Sequence, residues 1–191
     1  MQLTIAPSRG FSLVELLIGV GIASTLMLLA APNYTDWITN TNIRTGAQSI
    51  ADGLRLAQTY AAKRNSHVQF QLDPVGGPPF TGWSVIDFDN PTPPILQQSY
   101  FRSGADRIAL TISPAAARRV MFDGFARPVD PANPIAPAPQ IQFVDISGTP
   151  VTATTHPLRV VTSASPTVGV PVTAGIRMCD PALPASDAKA C

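Results

Sequence analysis

The chain is poor in the side chains that most chemistry needs. Its 191 residues hold one glutamate (Glu15), two lysines (Lys63 and Lys189), two histidines (His67 and His156) and two cysteines (Cys179 and Cys191). Neither lysine closes a G-x-x-x-x-G-K phosphate loop, neither histidine lies in an H-E-x-x-H pair, and no G-x-S-x-G elbow is present. The cysteines lack C-x-x-C spacing, which excludes the usual zinc and dithiol motifs. His67 heads a β-like run and His156 precedes Pro157 in a turn, so both read as surface groups. Asp87, Asp89 and Asp123 offer carboxylates for a cation, but aspartates scattered through β-turn regions more often shape turns. Neither an enzyme nor a bound cofactor is expected.

Charge is equally scarce. Charged residues make up 13% of the chain, the formal net charge is +1 and the isoelectric point is near 7.8. No broad basic field advertises nucleic acid or anionic lipid. From Asn65 onward seven arginines and one lysine stand against nine aspartates, a balance of −1. The chain is nevertheless not a disordered one, because hydrophobic residues supply 45% of it. The length suits one modest domain with an anchor. Eighteen of the twenty prolines follow Tyr60, which predicts short strands and many turns in the later part.

The long hydrophobic run is at the start. Arg9 precedes Phe11–Ala31, a 21-residue stretch whose polar groups are Ser12, Glu15, Ser24 and Thr25. At about 1.5 Å per residue it reaches roughly 30 Å, the thickness of a bilayer core. A cleaved secretory signal has an apolar stretch of about 7–15 residues followed by a small-residue site, so a spanning helix fits better. Arg9 favours a cytoplasmic N-terminal side. Helical periodicity continues beyond the run. Ile43, Ala47, Ile50, Leu54, Ala57 and Ala61 step by 4, 3, 4, 3 and 4, with Arg44, Gln48, Asp52 and Arg55 on the other faces. Pro32 is expected to kink this helix without ending it, and Asn65-Ser66 to stop it. A helix from Phe11 to about Arg64 measures on the order of 80 Å, and its apolar half must lie in lipid or against copies of itself.

Glu15 stands inside that apolar half, where an ionised acid costs several kcal/mol unless it finds a partner or reaches water. Two readings stand side by side. A cut between Gly10 and Phe11 gives Phe11 a free ammonium group, which can pair with Glu15 of a neighbouring subunit and set register among parallel helices. Alternatively, Glu15 is a lone interfacial carboxylate that reaches back to water.

The stretch "RGFSLVELLIGV" resembles the type IV prepilin signal through Gly10, Phe11 and Glu15, with Pro32 in the family's usual place. The resemblance implies cleavage after Gly10 by a prepilin peptidase, methylation of the new N-terminus at Phe11, and bundling of the helices into a filament core with Glu15 in assembly pairing.

From His67 onward, β-like runs alternate with turn signals: "HVQFQL", "WSVIDF", "RVMFD", "IQFVDI" and "LRVVTS". Their spacing predicts an antiparallel sheet or small sandwich, with Trp83, Val85, Phe88, Phe122, Phe143 and Val160 in its core. Asp130–Gln140 reads as a proline-rich surface loop. Cys179 and Cys191 read either as one disulfide in an oxidising compartment, the pairing adopted here, or as two free thiols. The pieces "VQFQL", "GWSVIDF", "RVMFDGFARPV", "LRVVTS" and "IRMCDP" resemble the GspH/FimT branch of pseudopilins and minor pilins. In that branch the helix packs on β-sheet and the proteins sit at filament tips or prime assembly. Some FimT-like members bind DNA through a Gly-Arg-x-Arg stretch. Here "TAGIRMC" keeps Arg177 but has Gly175 in place of the first arginine, and "SPTVGVPVT" is an apparent insertion before it.

The expectation is therefore an α+β, type IV pilin-like fold. It comprises a leader (1–10), a transmembrane and filament-core half-helix (11–33), an amphipathic half-helix (34–64) and a β-rich periplasmic domain (65–191). The expected function is that of a minor pilin or pseudopilin of a type IV pilus or a type II secretion system, resident in the bacterial inner membrane and then in the filament. Its partners would be the prepilin peptidase, other pilins and the membrane. A DNA-binding minor pilin using Arg177, and an uncut single-span envelope protein, are the alternatives.

Overall fold

The computed structural model describes residues 12–73, 80–101, 108–129, 140–149, 154–162 and 175–191. The expected loop at 130–139 and the insertion at 165–173 lie outside the described residues. The chain divides into two compact units, Met1–Trp37 and Ile38–Cys191. One helix, α1 (Leu13–Arg64), contributes to both.

In the second unit α1 carries a complete apolar face. Ile43, Ala47, Ile50, Leu54, Ala57 and Ala61 are all fully buried, joined by Ala51, while Arg44, Gln48, Asp52 and Arg55 are exposed. The alanines keep this face shallow, so the backbone lies close to the strands it covers. The helix ends as its sequence dictates. Asn65 adopts a left-handed φ of 50°, and the Ser66 N–H reaches back to the Ala61 carbonyl at 3.3 Å, a Schellman closure of the last turn. Lys63 and Arg64 occupy that turn, where positive charge complements the helix dipole.

Among the described residues eight strands follow: β1 (Val68–Asp73), β2 (Gly82–Asp87), β3 (Ile95–Tyr100), β4 (Ile108–Ser113), β5 (Arg119–Phe122), β6 (Phe143–Gly148), β7 (Leu158–Val161) and β8 (Arg177–Cys179). They form two four-stranded antiparallel sheets, ordered β3-β2-β1-β5 and β4-β6-β7-β8. The fold is thus α+β, with the helix against antiparallel sheet. Near Gly46 the helix faces Ile108 and Ile146 of the second sheet, and near Gly53 it faces Phe70 and Trp83 of the first. One continuous core results, with Phe70, Phe122, Ile50, Leu54, Val85 and Val144 among its fully buried members. The Trp83 indole N–H donates to Ser49 Oγ at 2.9 Å, which fixes the ring against the helix.

Two of the expected core aromatics are not in it. Phe88 is 38% exposed, and Phe143 is only partly buried. Strand alternation gives the reason: Trp83 and Val85 point to the core, which places Phe88 with the opposite parity. In β6 the buried residues are Val144, Ile146 and Gly148, so Phe143 lies on the other face. There its ring is covered by the Arg159 guanidinium at 4.0 Å, which also bonds Asp145 Oδ1 and Oδ2 at 2.6 and 2.8 Å. The hydrogen bonds it donates to Asp145 hold Arg159 more firmly protonated than usual.

The turn after β5 is held by one carboxylate. Asp123 accepts from the backbone N–H groups of Phe125 and Arg127 at 2.9 and 2.8 Å, and from Arg127 Nε and Nη2 at 3.1 and 2.9 Å. Partial burial pushes the Asp123 carboxyl up, but the bonds from Arg127 and Phe125 outweigh it and hold the group below the ordinary carboxylate value. A depressed carboxylate stabilises the fold above its unfolded pKa, and that contribution is lost as pH falls through the folded value. Asp123→Asn is therefore expected to lower Tm by about 2 °C at pH 7, with the difference from wild type shrinking below about pH 4. Thermal melts at pH 7 and pH 3 check this.

Candidate functional site

The first unit is built to be covered. Leu13, Val14, Leu16, Leu17, Met27 and Leu28 are all more than half exposed, as are the apolar residues between them at 18, 20, 22 and 26. The described members of the core cluster begin only at Ile43. So large an apolar surface on one helix indicates a surface meant for lipid or another chain. Its polar side chains bond to their own helix. Ser24 Oγ donates to the Val20 carbonyl, and Thr25 Oγ1 to the Ile22 carbonyl at 2.8 Å. Hydroxyls satisfied this way do not oppose burial in an apolar medium. Gly19 and Gly21 present open backbone, where an added Cβ would meet nothing within 4 Å.

Glu15 lies in the first turn of α1 and is exposed. Its Oε2 accepts the Ser12 backbone N–H at 3.2 Å. Ser12 precedes the first helical residue, so Ser12-x-x-Glu15 is the glutamate half of a capping box. The i, i+3 spacing is present in the sequence, but neither expectation for Glu15, pairing with a neighbouring subunit or reaching back to water, included this local partner. The two roles are compatible, because a carboxylate offers more lone pairs than one N–H uses. Gly10 and Phe11 lie outside the described residues. Pro32 falls within α1, which continues through it to Arg64. Among the described residues no helix is long and apolar enough to cross a membrane. Side-chain exposure is described for residues 12–28 of the apolar run, 17 residues, against the roughly 20 that a spanning helix needs.

At the other end of the chain Cys179 and Cys191 are disulfide-bonded, with Cα atoms 5.2 Å apart. The bond closes the terminal segment onto β8, aided by the Asp180 N–H to Lys189 carbonyl bond at 2.8 Å. In the chain-entropy picture a loop this short contributes about 3 kcal/mol. Arg177 is exposed on β8, an edge strand of its sheet, opposite Val161. The Arg55 guanidinium lies close by, bonded to the Ile176 carbonyl at 3.4 Å and to Asp52 at 3.2 Å. Arg118 is turned to the Ala115 and Ala117 carbonyls and covers the Phe80 ring.

Several other titratable groups pair locally. Asp87 takes Arg64 at 2.9 Å, and Asp89 takes the His67 ring at 2.8 Å and the His67 N–H at 2.8 Å. Slight burial pushes the Asp89 carboxyl up, and the His67 bonds outweigh it and lower the group overall. His156 is held by its backbone N–H on Asn40 Oδ1 at 3.0 Å. Around Arg64, Ser66, Asp87 and Asp89 lies an open recess of about 520 Å³. Among the described residues no group of three His, Cys, Asp or Glu side chains converges as metal ligands would. Asp87 and Asp89 thus serve as ion-pair partners, and Asp123 as the turn-forming carboxylate after β5.

Comparison with known proteins gives three findings. A crystal structure of the type IV minor pilin FimU from Pseudomonas aeruginosa superposes with a TM-score of 0.44 at 11% identity, covering 72% of this chain and 88% of that one. No curated protein sequence is similar enough to match. Residues 5–31 match the prokaryotic N-terminal methylation motif, and residues 46–174 match the family described as type II transport protein GspH. Since the second match takes in well over half of the chain, the protein belongs to the GspH family, a type IV pilin-like protein with an N-terminal methylation motif.

Proposed function

We propose that this protein is a minor pilin or pseudopilin that is made as a precursor, cut between Gly10 and Phe11 by a prepilin peptidase and methylated at Phe11. Residues 11–33 then hold it in the inner membrane, with residues 34–64 continuing the helix and residues 65–191 forming a periplasmic β-rich domain. It leaves the membrane by packing its helix against those of other pilins in a type IV pilus or type II secretion pseudopilus. The observation that carries this reading is the exposed apolar arm over residues 12–28, joined to a unit whose described core begins at Ile43. The methylation motif over residues 5–31 points the same way. The role is assembly rather than turnover.

Mass spectrometry of the N-terminal peptide from membrane-extracted protein tests processing directly. An N-methylated chain beginning at Phe11 is expected. A peptide retaining Met1 excludes processing and leaves an uncut single-span protein.

A further inference from the structure

We propose that Tyr34 and Trp37 form an aromatic anchor at the headgroup–acyl boundary of the bilayer and set the depth at which the apolar helix sits. The inference rests on the membrane stage of the function proposed above. Tyr34 and Trp37 are three residues apart on α1, so they share a face. Their rings stack with centroids 6.1 Å apart and planes 28° apart. They are 61% and 64% exposed, as open as the apolar side chains that precede them on the helix. Each ring joins an apolar body to one hydrogen-bonding group, the pairing of properties that enriches Tyr and Trp where hydrocarbon meets water.

Their place along the helix fits that boundary. Between Glu15 and Asp36 the sequence has no charged residue: residues 16–35 are a charge-free stretch of 20. At 1.5 Å per residue this corresponds to about 30 Å, one hydrocarbon thickness. Glu15 marks one end and the aromatic pair with Asp36 marks the other. Within the stretch the described hydroxyls of Ser24 and Thr25 are satisfied by their own helix, as lipid requires. A pair of rings there resists movement in both directions. Sinking would bury the indole N–H and phenol O–H in hydrocarbon, and rising would expose the apolar turns behind them.

Trp83 is 5% exposed, so the only other tryptophan is shielded and Trp37 can be read by difference. The test uses the full chain reconstituted in phosphatidylcholine–phosphatidylglycerol vesicles with acyl chains brominated near the headgroup or near the bilayer centre. The fluorescence of wild type minus that of Trp37→Phe reports the depth of Trp37. Quenching by shallow bromines is expected to exceed that by deep ones by about twofold or more. Equal or stronger deep quenching overturns the proposal. So does the absence of lipid quenching in protein that resists carbonate extraction, which places the ring in water or against a second chain. Protein stripped from the vesicles by carbonate overturns the membrane stage itself, and the anchor with it.

Discussion

Replacing Gly53 by leucine is expected to destroy the cooperative fold of the second unit, and even alanine is expected to weaken it. A Cβ built at Gly53 lies 2.8 Å from Phe70 Cε2 and 2.9 Å from Trp83 Cδ2 and Cε2. Neither ring has room to withdraw. Phe70 is fully buried on β1, and Trp83 is tied through its indole N–H to Ser49, one helical turn before Gly53. The two rings also contact each other at 5.8 Å between centroids. Two effects oppose one another. Glycine in a helix interior is worse than alanine by about 1 kcal/mol, so the substitution gains that much in propensity. Forcing a methyl group into a filled core costs about 1–3 kcal/mol. With all three contacted atoms part of buried rings, the second effect should win for alanine by about 1 kcal/mol, and for leucine by more than about 3 kcal/mol.

Urea unfolding of detergent-solubilised protein, followed by Trp83 near-ultraviolet circular dichroism, measures both. The double variant Gly53→Ala with Phe70→Leu separates crowding from a general loss of packing. If crowding is the cause, the second substitution costs less in the alanine background than in wild type, a positive coupling between neighbours. An alanine variant as stable as wild type removes the crowding argument.

This contact also shows what was readable beforehand. The buried helix face was legible residue by residue, because a 3.6-residue period repeated from Ile43 to Ala61 has no other explanation. Its stop at Asn65 was legible too. Gly53 was not: the reason for a glycine there is a pair of aromatic rings arriving from strands some twenty and thirty residues later. Among the strands, β1, β2, β5, β6 and β7 were marked by dense β-branched and aromatic residues. β3, β4 and β8 were missed as strands, and all three are sheet edges. These three bury little, unlike the fourth edge, β5, so their sequences carry less signal: "ILQQSY" is exposed or half-exposed throughout. Phe88 and Phe143 were misplaced for a different reason. They were assigned to the core by residue type, when the alternation from Trp83 and Val144 already fixed their faces. At the N-terminal end the motif pointed to Gly10, Phe11 and Glu15, while the Ser12-x-x-Glu15 capping pattern, equally present there, went unread.

That hydrogen bond shapes the last expectation: Glu15→Ala and Glu15→Gln should fail to enter filaments while the folded unit 38–191 is unchanged. Two functions are attached to one carboxylate. The cap satisfies the Ser12 N–H within its own chain, and the proposed pairing neutralises the Phe11 ammonium of a neighbour. Glutamine keeps a side-chain oxygen that can accept the Ser12 N–H but has no charge for the ammonium. Alanine removes both. If capping were the whole purpose, glutamine would behave nearly as wild type, since losing a cap costs only about 1 kcal/mol. If pairing is what matters, glutamine and alanine should be equally defective, with filament incorporation reduced roughly tenfold or more, because an ammonium left among apolar helices has lost its counter-charge. Aspartate keeps the charge on a shorter arm and should fall between. Sheared filament fractions, probed beside membrane fractions for total protein and for N-terminal methylation, give the three variants side by side. Wild-type incorporation of the glutamine variant would refute the charge pairing and leave the cap as the reason for the acid.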